Sequence, residues 1–262
     1  MTEIPVVDLG RGVTMPMVGF GTWQLSGRRA YKAVRYALEV GYRHIDTATI
    51  YRNEHDVGRA IRDSGLDRDA VFVTTKLPPG NAGRVRATLA ESLRALNTDY
   101  VDLWLIHWPP RQADSVPMWR EFLALQDEGR CRSVGVSNYD IAQIDELIAA
   151  NEGGKGGGRG PAVNQIPWSP SRYDPALLAA HADRDVAVEG YSPLKGTRLR
   201  DPALAEIAAK HHVTPAQVVL RWHLEHGITV IPKSSHPDRI KSNFDLFSIS
   251  FTPDEVARID HL

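Results

Sequence analysis

Short apolar runs rich in Val and Ile alternate along this chain with stretches whose apolar residues recur at helical spacing. Eight of the runs read as strands: Met17–Trp23, Tyr42–Ala48, Val71–Leu77, Val101–Trp108, Arg132–Ser137, Ala162–Ile166, Ala187–Tyr191 and Ile228–Pro232. Between them, Val85–Leu96, Val116–Glu128, Ile141–Ala150 and Leu204–His211 follow the 3.6-residue period of a helix with one buried face. Strands separated by helices pair in parallel, as repeated βαβ units. Val6–Asp8 and Thr14–Pro16, separated by Gly10 and Gly12, read as a small hairpin closing one end, and Asp254–Leu262 as a last short helix.

Alternation alone fits an open doubly wound sheet and a closed barrel equally. The open sheet normally carries a glycine fingerprint behind its first strand. Here Gly19, Gly21 and Gly27 have the wrong spacing, and no helical pattern opens directly after them. The expectation is therefore α/β: a (β/α)8 TIM barrel with an N-terminal β-hairpin, residues 1–262 forming one domain. Barrels of roughly 250 residues are ordinary. Gly153–Gly160 reads GGKGGGRG between a helix and a strand. In a barrel that connection lies opposite the active face, so a flexible spacer is expected there rather than a phosphate loop.

Charge narrows the partners. With 31 basic and 32 acidic residues the net charge is −1, which gives no electrostatic reason to expect nucleic acid or an anionic membrane. No apolar run approaches the roughly 18 residues of a membrane span, and the start lacks a basic segment followed by a long apolar one. A cytoplasmic monomer is expected, since a closed barrel needs no partner to finish its core. Cys131 is the only cysteine, so no intrachain disulfide forms, and it reads as a small core residue. His211 with His212, and His223 with His226, fall on helical segments with no acid at ligand spacing; they read as surface histidines, and no metal is expected. Trp119 and Trp222 read as helix residues packing onto the barrel.

A barrel places its chemistry at the C-terminal ends of its strands. Reading those ends gives Asp46 and Tyr51, Lys76, His107, Ser137 and Asn138, Gln165, Tyr191 and Ser192, and Lys233 and Ser234. Each alone has a bland explanation as a helix cap or solvated rim group; their convergence on one rim points to a site. The chemistry is coherent too. A phenol with a pKa near ~10 is a poor acid at neutral pH, and a neighbouring ammonium brings that value down. Lys76 can supply the ammonium, Asp46 can hold it in place, and His107 can orient a carbonyl oxygen beside Tyr51.

With these residues in order, the chain resembles the aldo-keto reductase family. The resemblance rests on GYRHIDTATIYRNEHDVGRAI (41–61), TTKL (74–77), LIHWPP (105–110), GVSN (135–138), NQI (164–166), YSPL (191–194), and IPKS followed by Arg239 and Asn243. It runs from the hairpin to nearly the end, and is nearest in length to smaller bacterial members of the 2,5-diketo-D-gluconate reductase type. The resemblance implies a carbonyl reductase using NADPH/NADP+ on a small carbonyl substrate. It implies Tyr51 as proton donor, assisted by Asp46, Lys76 and His107. Ser137, Asn138 and Gln165 would hold the nicotinamide carboxamide, with Tyr191 stacked on the ring. Ser192 and Leu194 would lie along the pyrophosphate, Lys233, Ser234 and Arg239 would grip the 2′-phosphate, and Asn243 would meet the adenine. Trp23 and Trp108 match walls of the substrate pocket.

The chain departs from the family pattern in places. Pro167 and Ser169 replace a usual Glu and His after strand six, which implies a changed loop around Trp168. Ser242 stands where a longer residue often reaches the adenine amine. Many relatives continue past the last helix into a loop over the substrate site; this chain stops at Leu262, and segment 111–116 is compact, so an open pocket of broad substrate range is expected. Two rival functions share this outline: a nucleotide-binding regulator with slow turnover, against which the intact tetrad speaks, and a barrel isomerase or hydrolase of sugar phosphates, which would need a metal cluster or paired carboxylates at the strand ends.

Overall fold

A computed structural model of the chain describes residues 4–110, 115–150 and 159–262. The hairpin comes first, β1 (Val6–Asp8) against β2 (Thr14–Pro16), antiparallel with Val7 opposite Met15. Then come the barrel strands: β3 (Phe20–Gly21), β4 (His44–Asp46), β5 (Phe72–Leu77), β6 (Val101–Ile106), β7 (Cys131–Ser137), β8 (Val163–Pro167), β9 (Ala187–Tyr191) and β10 (Thr229–Val230). All are parallel, each paired with the next, in the order β3 through β10. A parallel bridge between Val18 and Val230 closes the ring, carried by Gly19 N–H to Val230 O and Val230 N–H to Met17 O, both 2.9 Å. The expected barrel with its N-terminal hairpin is the fold observed.

Five strands are shorter than their sequence runs, the first four and the last, with the first, second and last shortened most. The ends outside the shortened strands still hydrogen-bond to their neighbours. Phe72 N–H reaches Arg43 O and Thr47 N–H reaches Thr74 O at the two ends of β4, and Pro232, after β10, has no N–H to give. β4, β5 and β6 are buried at every residue. That explains why they read as continuous rather than alternating runs: one face fills the barrel and the other lies under helices.

The helices are α1 (Gly27–Val40), α2 (Glu54–Arg62), α3 (Val85–Leu96), α4 (Ser115–Asp127), α5 (Ile141–Ala149), α6 (Pro175–Ala182), α7 (Pro202–Lys210), α8 (Pro215–Glu225), α9 (Pro237–Phe244) and α10 (Pro253–Asp260). α1 buries Ala30, Ala33, Val34, Ala37 and Leu38, a stripe three and four residues apart. The last five all open on proline, and four of them carry an Asp or Thr cap whose side chain takes a backbone N–H: Asp174, Asp201, Thr214 and Thr252. Trp119 and Trp222 are fully buried under α4 and α8 as expected, and Cys131 is buried in the core. At the bottom, Met15 of the hairpin is wholly buried against Phe72, Leu103, Leu105 and Val163, stopping that end of the barrel. The compact segment 111–116 lies outside the described residues up to position 114, and the glycine-rich spacer lies outside them up to position 158.

One expectation about the helices fails. His223 is fully buried, not a surface residue. Its ring spans from the Val219 carbonyl (2.8 Å) to the Trp168 carbonyl (3.3 Å), and burial lowers its pKa to about 4. His211 and His226 do meet acids, but from α10: Glu255 at 3.0 Å and Asp260 at 2.8 Å. Spacing within one helix cannot reveal partners supplied by another. Among the described residues, no group of three or more His, Cys, Asp or Glu is placed to hold a metal ion, and no helix is long and apolar enough to cross a membrane.

Candidate active site

A cavity of about 630 Å³ opens at the C-terminal ends of the strands. Every candidate residue from the sequence lines it except Lys76, Ser234 and Arg239. Lys76 lies beneath the floor, completely buried. Ser234 is buried in the turn before α9, its hydroxyl accepting the His236 N–H at 3.0 Å, and Arg239 is exposed on α9, one turn before Asn243. Two hollows of about 540 and 580 Å³ flank the hairpin at the other end. Their arginines Arg132 and Arg159 are held by Asp102 and Asp127.

The floor is built by register. Asp46 pairs with Thr74, and Lys76 lies two residues on, so Lys76 and Thr74 point to one face. Lys76 Nζ donates to Asp46 Oδ2 at 2.6 Å and to the Thr47 carbonyl at 2.8 Å. Burial works against the Lys76 charge, but Asp46 and Tyr51 favour it, and the balance raises its pKa. Tyr51 sits on a single 3-10 turn, Thr49–Tyr51, after β4, with the ammonium 5.3 Å from its ring centre. Burial raises the Tyr51 pKa and the Lys76 ammonium pulls it down; the net direction is up. The expected lowering of the phenol is thus real as a contribution but loses to desolvation.

His107 packs edge-on to Tyr51, ring centres 5.8 Å apart. Desolvation and then the Lys76 charge lower its pKa to about 3, so it is a neutral imidazole at ordinary pH. Its Nδ1 is buried without a partner among the described residues. The walls above are aromatic: Trp23 and Trp108 are 53% and 45% exposed, unusually high for such large apolar side chains. Ile50, 50% exposed beside Tyr51, also lines the cavity; an apolar residue in the run before Tyr51 carries no mark of that role in the sequence.

The far side of the floor is a chain of amides and hydroxyls. Ser137 Oγ donates to the Gln165 carbonyl at 2.8 Å, and Asn138 Nδ2 to the His107 carbonyl at 3.1 Å and to Ser137 Oγ at 2.9 Å. Tyr191 donates its hydroxyl to Asn138 Oδ1 at 2.8 Å. Asn138 and Ser192 turn the chain at the rim with φ of 64° and 53°, the left-handed region that asparagine tolerates better than most. Pro167 does not end its strand early: it stays in register with Tyr191, and Trp168 N–H bonds the Tyr191 carbonyl at 3.3 Å. Trp168 and Ser169 are both buried behind this rim. Ser242 bonds back to the Arg239 carbonyl at 3.3 Å.

The sequence matches the model of the aldo/keto reductase family over residues 17–262. The chain belongs to the aldo/keto reductase family. It is 42% identical to a methylglyoxal reductase, DkgA, of Yersinia pestis, over 100% of this chain and 94% of that protein. An aldo/keto reductase from Brucella melitensis has a crystal structure of TM-score 0.92 to this one, at 43% identity, covering 98% of this chain and 99% of that one. A Bombyx mori aldo-keto reductase in complex with NADP follows at TM-score 0.90 and 34% identity, covering 99% and 93%. Family membership thus agrees with the resemblance read from the motifs.

Proposed function

We propose that this chain reduces small aldehydes and ketones to alcohols with NADPH, Tyr51 delivering the proton. The observation that carries the reading is the Lys76–Asp46 pair, buried at 2.6 Å beneath a phenol that faces an aromatic-walled cavity beside His107.

The residues present suit the cofactor. Gln165 and Asn138 bring amide groups to the floor where a flat carboxamide would sit, and Tyr191, held by its hydroxyl on Asn138 Oδ1, lies beside them as a stacking face. Lys233 and Arg239 have no carboxylate partner among the described residues, and two free cations near Ser234 and Asn243 suit a 2′-phosphate. Ser192 and Leu194 on the rim between these groups suit the pyrophosphate. Bound NADPH would supply the hydride; the rest falls to the chain. Tyr51 holds a proton at Oη and releases it to the carbonyl oxygen, and the resulting phenolate is left beside the Lys76 ammonium. His107, neutral, offers an N–H to the same oxygen without bringing a charge. Asp46 keeps Lys76 in place. Trp23, Trp108 and Ile50 give the substrate an apolar wall, which favours small carbonyl compounds of varied shape, methylglyoxal among them given the Yersinia relative's name. We read residues 1–262 as one domain acting as a monomer in the cytoplasm.

The test is NADPH consumption with a panel of small aldehydes and ketones, run beside Tyr51→Phe. Turnover by the native chain with a ~10²–10⁴-fold loss in the variant supports both reaction and donor. Tight NADPH binding without turnover across the panel would instead favour a binding protein.

A further inference from the structure

Glu189 has no part in the chemistry above, yet it is a carboxyl group wholly buried in the barrel interior. It sits on β9 directly opposite Gln165 on β8, so the two side chains leave the sheet together. Gln165 Nε2 donates to Glu189 Oε2 at 2.9 Å and to Asp46 Oδ2, also at 2.9 Å. An amide nitrogen has two N–H groups, and both are therefore spent on carboxyl oxygens. The Gln165 Oε1 accepts no hydrogen bond among the described residues, and the residue lines the cavity. Reversing the amide would set its oxygen against the Asp46 carboxylate.

We propose that Glu189 is a positioning residue for the cofactor: with Asp46 it claims both N–H groups of Gln165 and fixes Gln165 Oε1 as the acceptor for the nicotinamide carboxamide. This rests on the reading of the cavity as an NADPH site. The groups facing Glu189 are Gln165 from β8, His44 and Asp46 from β4 and Lys76 from β5, with His44 Nε2 3.6 Å from Oε1. Burial and the Asp46 charge hold the Glu189 proton on, well above the ordinary carboxylate range, while burial lowers the His44 pKa to about 4. Glu189 therefore accepts the amide N–H as a neutral acid. A second carboxylate beside Asp46 would compete for Lys76; a neutral one orients Gln165 and leaves that pair alone.

The experiment compares Glu189→Met and Glu189→Gln with the native chain, titrating NADPH and adenosine 2′,5′-bisphosphate, which lacks the nicotinamide. Losing one ordering hydrogen bond should weaken NADPH about five- to tenfold in Glu189→Met, raise the NADPH KM by the same factor, and leave bisphosphate affinity within about twofold. Glu189→Gln can still present an oxygen to Gln165 and should recover most of the loss. Should Glu189→Met bind neither ligand, as an unfolded chain would, Glu189→Thr, too short to reach Gln165, carries the same expectation. Unchanged NADPH affinity in Glu189→Met, or equal loss of both ligands in a folded variant, overturns the proposal, as does a Glu189→Gln as weak as Glu189→Met. A native chain with no affinity for NADPH sinks the reductase reading itself and this inference with it; native binding with an indifferent variant sinks this one alone.

Discussion

Replacing Lys76 with methionine tests the buried ion pair at the centre of the site. The ammonium gives two hydrogen bonds, 2.6 Å to Asp46 Oδ2 and 2.8 Å to the Thr47 carbonyl, with side-chain exposures of 0% and 3% for the pair. In Lys76→Met the carboxylate keeps, among the described residues, only the Gln165 amide as a side-chain donor. Breaking one partner of a buried pair costs about 3–5 kcal/mol, because an uncompensated charge is left behind. A chain of this size loses roughly 2–4 °C per kcal/mol, so the melting temperature should fall by about 10 °C. Lys76→Met, Asp46→Asn and the double variant are followed by thermal and urea unfolding together with reductase activity. The double variant should melt well above Lys76→Met, since it leaves no orphaned charge, while all three stay inactive. A loss under about 1 kcal/mol in Lys76→Met, or a double variant no more stable than it, would refute the account of a compensated pair.

Three further outcomes follow from the same geometry. The Tyr51 pKa is raised in the folded chain and that of His107 is lowered to about 3. Tyr51 therefore stays protonated through the ordinary tyrosine range and His107 stays neutral, so carbonyl reduction should be level from about pH 5 to 7, any change near pH 8 coming from Glu189, whose pKa is raised to about 8, and loss of the Tyr51 proton following only above about pH 10; a limb near pH 6–7 that disappears in His107→Gln would contradict this. Lys233→Ala and Arg239→Ala should each weaken NADPH about tenfold or more and leave NADH unchanged, measured by fluorescence titration; equal loss for both cofactors would remove the 2′-phosphate assignment. Gly58→Ala should destabilise by about 1–3 kcal/mol in urea, since a Cβ there would lie 2.2 Å from the Leu96 carbonyl oxygen; a cost below about 0.5 kcal/mol would show that α2 can shift on α3.

Architecture was legible because burial on both faces writes strands as runs. Phe72–Leu77 and Val101–Ile106 are buried at every position and are hard to mistake. That Asp46, Tyr51, Lys76 and His107 gather at one place was legible because all four stand at or just after strand ends that a barrel brings to one rim. What stayed hidden depends on contacts between distant elements. His223 looks like a surface residue until Trp168 is brought over it, and the Tyr51 balance depends on how much wall surrounds the phenol. Some misses had a signal. Asp174-Pro175, Asp201-Pro202, Thr214-Pro215 and Thr252-Pro253 are cap-and-proline starts, and they set α7 to begin at Pro202 rather than Leu204. Glu189, two residues before Tyr191, is an acid inside an apolar strand, which period-two counting places on the same face as that tyrosine.

The direction of the Tyr51 shift bears on how such a site works. An ammonium strong enough to ionise the phenol beforehand would remove the very proton the reaction needs. Here burial keeps the proton on Tyr51, and Lys76 limits how far burial can go. Its contribution grows as the proton leaves, because the charge then appears on the phenolate oxygen beside it. Stabilisation that is larger after transfer than before it lowers a barrier, whereas equal stabilisation would not. That arrangement needs the surroundings to carry no other charge. Glu189 is held protonated, and His44 and His107 are held neutral, so Asp46 and Lys76 stand as one compensated pair in a polar but uncharged floor. A charge introduced at Glu189 or His44, neither of which lines the cavity, would therefore act on proton delivery through Lys76 without touching the substrate.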